Sequence, residues 1–485
     1  MTPPLLPGAE QHQTSPRGLG WPSPMVKGAE DLVAALFISG LLWSLSGCAL
    51  PREAPLPTSL STATRLSDLS SQAKAPTGLP LPPEAIDPAA GLTPVDVAIL
   101  AVLNSPDLKA KRAAAHVAAA QVFAAKLLPD PQVSLSADLP TPGQFVAPGQ
   151  AAATAFGIAP SLDIAGMIAH APALAAARAT RRQADLELLW AEWGVAQQAR
   201  ALAETALAEE ARLPTLDDLA RAATLQAAQS KAALSRGELS LPAAVAAVSA
   251  KIDATTQAAA ARQIAARARL DLNALIGLRP DVILRLRTGN TETDWDAAAV
   301  DRARATVAER RPDLLALKAG YESQEATLRR AVLAQFPLLN VGLNHAMDNT
   351  GIVSNGPQAT LTLPIFRTAR GPVAIEDANR AQLRAEYQAR LDQADADAAA
   401  GLNDLEVARA QDARLNLEVP HIADLAASSK AAFAAGDIDG PTYLAALQTY
   451  AGRLTDASDR ALTARLAEIT LETVLFLPPA LETQK

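Results

Sequence analysis

The 485-residue sequence repeats itself, and a repeat this long limits the architecture before any local pattern does. Asn104-Ser105-Pro106-Asp107-Leu108 returns 206 residues later as Arg310-Arg311-Pro312-Asp313-Leu314. Each motif opens an Ala-rich segment that closes at a second proline, Pro131 or Pro337, 25 residues on. Ile158-Ala159-Pro160-Ser161-Leu162 then parallels Thr362-Leu363-Pro364-Ile365-Phe366, and Pro214 parallels Pro420, again 206 apart. Finally Arg236-Gly237-Glu238-Leu239-Ser240-Leu241-Pro242 matches Ala435-Gly436-Asp437-Ile438-Asp439-Gly440-Pro441, at an offset of 199. The second copy is thus seven residues shorter between proline and glycine. Seven residues is two helical turns, so the deletion leaves the buried face where it was. The chain is a tandem of two units of about 200 residues each.

Within each unit the periodicity changes from helical to two. Val133, Leu135, Ala137 and Leu139 alternate with Gln132, Ser134, Ser136 and Asp138. Phe156, Ile158, Pro160 and Leu162 alternate with small residues, and the second copy repeats both runs. Strict alternation marks a half-buried strand. The runs cover about 131–139, 154–162, 338–346 and 358–366, each about nine residues, the length of a tilted membrane-crossing strand. The loops around 140–150 and 348–357 carry the Gly, Pro and Asn of hairpin connections. Four strands cannot close a barrel, and an open edge in lipid leaves backbone groups unpaired. Such a chain must share its barrel with copies of itself: two give eight strands and three give twelve, and the pattern does not choose between them.

Helical periodicity follows each hairpin for a long way, from about Met167 to Ser235 and from Thr368 to Ala434, with kinks expected at Pro214 and Pro420. Shorter helices return over about Pro242–Ile276 and Pro441–Leu477. A helix of this length needs lateral partners to bury its apolar stripe. Composition suits that packing: 49% hydrophobic residues with only 4% aromatic, and alanine dominant. A net charge of -8 argues against nucleic acid, which demands a basic stripe. The body holds no apolar run long enough for a membrane-spanning helix.

The single cysteine, Cys48, permits neither a disulfide framework nor a thiolate metal cluster. It follows Lys27, the apolar run Leu32–Leu45 and Leu45-Ser46-Gly47, the order of a signal peptide ending at a bacterial lipobox. Lipidation of Cys48 is expected, with no other cofactor, and Ala49 at the next position fits export to the outer membrane. Residues 1–47 are thus read as a signal region, in which 1–24 fit no targeting signal and Met25 is the expected start. Residues 48–91, rich in proline, form a lipid-anchored linker. The two units occupy 92–280 and 301–477, joined by a connection at 281–300 and followed by a tail at 478–485.

No catalytic or metal site is indicated. His12, His116, His170, His345 and His421 show no ligand spacing, and phosphate-binding, dinucleotide and nucleophile-elbow motifs are missing from the sequence.

The duplicated order of Asn-x-Pro-Asp-Leu, helix, strand, Leu-Pro-Ile-Phe, long helix, glycine turn and returning helix resembles the TolC-like outer-membrane factors. The likeness covers about Gly91 to Leu477 and is strongest over 310–343 and 419–475, the second of which is similar to the metal- and drug-efflux branches. The resemblance implies a mainly α fold with a small transmembrane β part. It further implies a homotrimer forming an α-barrel and a twelve-stranded β-barrel in the outer membrane, most of the chain lying in the periplasm. Such a duct serves an inner-membrane transporter through a periplasmic adaptor protein. Gly237 and Gly436 would form the periplasmic hairpin tips, with Leu239 and Ile438 exposed for adaptor docking. The family often places a carboxylate ring beyond the second tip; Thr442 and Ala445 stand there instead, leaving Asp437 and Asp439 as the candidate pore constriction. Two rivals are a periplasmic adaptor, which has one helical hairpin rather than two, and a lipid-anchored coiled-coil scaffold, which needs no alternating strands.

Overall fold

The computed structural model describes residues 54–69, 78–81, 86, 91–141, 143–148, 150–289, 297–363 and 370–479. Cys48, the signal region before it and Pro364-Ile365-Phe366 lie outside the described residues. The chain divides into two units, Met1–Leu60 and Ser61–Lys485. Of the first, residues 54–60 are described, exposed and free of helix or strand.

The second unit begins with a strap. The Pro-rich stretch expected as a linker docks at several points: Ala63 bridges Leu278, and Leu69, Leu79 and Leu81 are buried. Proline keeps its described residues from any helix beyond the 3-10 turn Leu66–Asp68, yet its leucines still find core. They pack around α1 (Pro94–Asn104), which a Thr93–Asp96 capping box starts, with Pro94 at its first turn.

The repeat motifs each start a helix at proline, where the missing N–H has no intrahelical partner in any case. These are α2 (Pro106–Lys126) and, after α5 (Ala297–Ala305) and α6 (Val307–Arg310), α7 (Pro312–Leu333). The paired leucines Leu108 and Leu314 are both fully buried.

The strands are β1 (Gln132–Asp138), the short ribbon β2 (Phe145–Ala147) with β3 (Gln150–Ala151), then β4 (Ala155–Asp163), β5 (Leu338–Met347) and β6 (Val353–Thr362). Strand β6 begins and ends earlier than its alternation suggested. The Asp348 carboxylate accepts from the backbone N–H of Thr350 and Ile352, closing a turn that lets pairing start at Val353. Pro357 is tolerated because β6 is an edge strand.

The long helices are α3 (Ile164–Ser235), 72 residues, and α8 (Arg370–Ala435), 66 residues. The first is about 108 Å long at 1.5 Å per residue. Both run through their internal prolines without a break. Returning helices α4 (Leu241–Ile276) and α9 (Gly440–Leu475) have 36 residues each. Helix α9 ends on Phe476 in the left-handed conformation (φ 50°), held there by an edge-on contact with buried Trp193.

Candidate functional site

The four main strands form one antiparallel sheet in the order β1-β4-β5-β6, so the two repeats meet at β4-β5. Register keeps the alternation in phase across every seam. Val133 faces Pro160, Leu135 faces Ile158, Leu162 faces Val341 and Leu339 faces Leu361, giving one apolar face. Gln132, Ser161, Gly342 and Gln358 cross the opposite, polar face. His345 and Asn355 are the exception on the apolar side, and they satisfy each other. The apolar face is open: Val133, Leu135, Leu343 and Leu361 are all more than half exposed.

The helices keep the same lateral order. Next to the sheet, α3 lies between α2 and α7, and α7 meets α8; farther along, α3 lies between α4 and α9, and α9 meets α8. In the second unit the sheet and the repeated helices thus form a single row, with α1 and the strap packed against α3, ending in first-repeat elements on one side and in β6 and α8 on the other. Both ends carry unburied apolar side chains. On α4 these are Leu241, Val245, Val248 and Ile252, spaced for one helical face and 43–63% exposed. Their repeat partners on α9 are Gly440, Leu444, Leu447 and Ala451, of which the last three are buried in one cluster with Leu216, Leu219 and Ala223 of α3. The repeat partners of Leu216 and Leu219 on α8 are Ile422 and Leu425, and Leu425 is 54% exposed. A contact made inside the chain by one repeat is left unmade at its two ends.

The expected tips are where the glycines put them. Gly237 and Gly436 have φ of +73° and +83° and close the same C-terminal motif. Glu238 N–H donates to Ala233 and Asp437 N–H to Ala432, with Gly237 and Gly436 donating one turn inside. Asp439 caps α9 by accepting from Thr442 N–H at 3.0 Å, and these bonds hold its carboxyl below the usual range. Phe433 and Tyr443 stack across the second tip at 5.0 Å. Two features differ from expectation. Leu239 and Ile438 are half-buried rather than exposed. The tips are also staggered. Gly440 abuts Gln226, eleven residues before Gly237, while lying four after Gly436. The first hairpin therefore extends about seven residues, about 10 Å, past the second.

The repeats are joined by a column of buried charge that alternation and motif spacing gave no reason to expect. Arg200 pairs with Glu472, both almost fully buried. Arg212 bridges Glu209 and Asp459, and Glu468 receives Arg409 and Arg465. Burial raises the Glu472 carboxyl more than Arg200 lowers it, and burial likewise raises Glu204 against the pull of Arg465 and Arg200. The only sequence signal was charge on an otherwise alanine-rich stripe. No group of three or more metal-ligating side chains occurs among the described residues.

This architecture has close counterparts among solved structures. CusC, solved in a study of folding and transmembrane channel formation, matches with a TM-score of 0.63 at 16% identity, covering 88% of this chain and 99% of its own. The outer-membrane channel OprN matches with a TM-score of 0.65 at 14% identity over 88% and 99%. The CmeC outer-membrane channel of Campylobacter jejuni gives 0.64 at 15% identity over 88% and 94%. The chain has the TolC-like outer-membrane channel fold. No protein-family model and no curated protein matches the sequence itself. The likeness is one of architecture, carried by the duplicated order, and the named matches are channels rather than enzymes.

Proposed function

We propose that the chain is the outer-membrane channel of a tripartite efflux system, a passive duct closed by three copies of itself. One observation carries this reading: the contact between α9 and α3 inside the chain recurs, unmade, as the exposed stripe of α4 and the exposed Leu425 beside half-buried Ile422 on α8. A second copy supplies the missing half, and a head-to-tail contact of this kind closes into a ring. The sheet edges β1 and β6 pair in the same step, which removes the edges a membrane would not tolerate. Two copies would make an eight-stranded barrel filled by its own side chains, whereas three make twelve strands with a lumen.

In this reading the apolar face of the sheet meets lipid, the helical tube crosses the periplasm, and Cys48 carries the lipid. The tips at Gly237 and Gly436 meet a periplasmic adaptor that connects to an inner-membrane transporter. Asp437 and Asp439 narrow the pore. The protein catalyses nothing; cargo is chosen by its partners. The outer-membrane channels matched in fold support this assignment.

The test is the native mass of the detergent-extracted protein after subtraction of bound detergent. Three mature chains weigh about 140 kDa, and that value is expected. A single-chain mass would remove the shared barrel, and the duct with it.

A further inference from the structure

The helix ends beside the sheet differ in charge from everything around them. Lys126, Arg329, Arg330 and Arg370 all lie within nine residues of a strand end on the helical side, and all four are exposed. Among the described residues none of the four forms an ion pair. Farther from the sheet Arg182 pairs with Glu322, Arg380 with Asp377 and Arg390 with Asp313, while among the described residues Arg178, Lys318 and Arg384 form no ion pair. Two carboxylates share the band, Asp130 and Asp163, and Asp163 is occupied capping α3 through Gly166 N–H. The strands and their loops hold no lysine or arginine at all, from Leu127 to Ala177 and from Ala331 to Phe366. At the loop end of the sheet the charges are Asp138 and Asp348.

Beside the cations stand large apolar side chains with no cover: Phe123, Leu127, Leu128, Ile168 and Phe336 are each 58–67% exposed. Apolar surface next to unpaired cations, directly below an apolar sheet face, matches a phospholipid leaflet, where acyl chain gives way to phosphate. We infer that this band binds the anionic phospholipid headgroups of the leaflet nearest the helices, setting the depth at which the barrel sits. The inference rests on the membrane reading of the sheet. The partner is a lipid surface rather than free phosphate, because the four cations are spread over three helix ends and do not converge on one pocket. Each basic side chain near an anionic surface raises binding about fivefold.

The experiment reconstitutes the full-length protein into vesicles of phosphatidylcholine with about one-third phosphatidylglycerol, then measures the lipid retained after mild detergent extraction. The ratio of phosphatidylglycerol to phosphatidylcholine is expected to be about threefold above the bulk ratio in the wild type and to fall to the bulk ratio in Lys126→Gln/Arg329→Gln/Arg330→Gln. Arg329→Lys/Arg330→Lys, which keeps the charge, should retain the enrichment and shows that loss in the Gln variant is electrostatic. Equal enrichment in wild type and Gln variant overturns the inference, as does absence of enrichment in the wild type. A wild-type protein that inserts normally but shows no lipid preference leaves the duct standing and removes only the belt. One that enters no vesicle removes both.

Discussion

Around Gly237 and Gly436 a Cβ would meet nothing within 4 Å, so any cost of a side chain there is backbone conformation alone. The left-handed region disfavours an L-residue by about 1–2 kcal/mol. Gly237→Ala and Gly436→Ala should each lower stability by about that amount, with Asn recovering part of the loss. Denaturant midpoints of the four variants check this, and an alanine as good as glycine would mean the turn is not held as described. Glu204 makes the opposite case. Burial raises its carboxyl above the ordinary value of 4.5, so the folded state holds a proton that the unfolded state has already released. Stability is then lost as pH climbs from the unfolded value through the folded one. Glu204→Gln should raise the melting temperature at neutral pH and bring progressively less gain as pH falls towards 4.5. A constant difference at every pH would show that Glu204 titrates as an exposed group.

At the scale of elements, the proposed ring would bring the exposed stripe of α4 in one copy against Leu425 of α8 in the next. Val245→Glu or Leu425→Glu buries a carboxylate against apolar partners and should shift the protein from trimer to monomer in detergent, a loss of several kcal/mol per interface. Joining Val245→Glu with Leu425→Lys should restore part of the trimer, and sizing by native mass separates these outcomes. If both single variants stay trimeric, the two sites face solvent or lipid and the internal repeat misleads. The same repeat explains what was legible in the sequence. Prolines at positions 106 and 312 start helices, glycines at 237 and 436 end them, and period two marks strands; each is local chemistry with one outcome. The early start of β6 depended on the Asp348 turn, and the half-burial of Leu239 and Ile438 on the packing around each tip. The docking of Leu79 and Leu81 depended on a core about a hundred residues away in sequence at Trp193. None of these is encoded in spacing.

For the whole molecule the question is what the tips of the proposed duct do to an ion. Asp437 and Asp439 are exposed at the second tip, which lies about 10 Å short of the first, so the proposed trimer would gather six carboxylates there. Thr442 holds the Asp439 carboxyl below its ordinary value of 3.8, so it stays ionised through mildly acid conditions. A ring of fixed negative charge favours cations in a lumen. Asn replaces Asp as a helix cap with little loss, so Asp437→Asn/Asp439→Asn removes charge and leaves the tip folded. In planar bilayers under a salt gradient, the wild type should show a reversal potential displaced towards that of the cation, and the variant one closer to zero. Lowering the pH towards 4 should leave the wild-type displacement largely in place, since the depressed Asp439 carboxyl keeps its charge there. Equal reversal potentials in wild type and variant would mean that the charge sits outside the path of the ions, and that the pore narrows elsewhere along the wall.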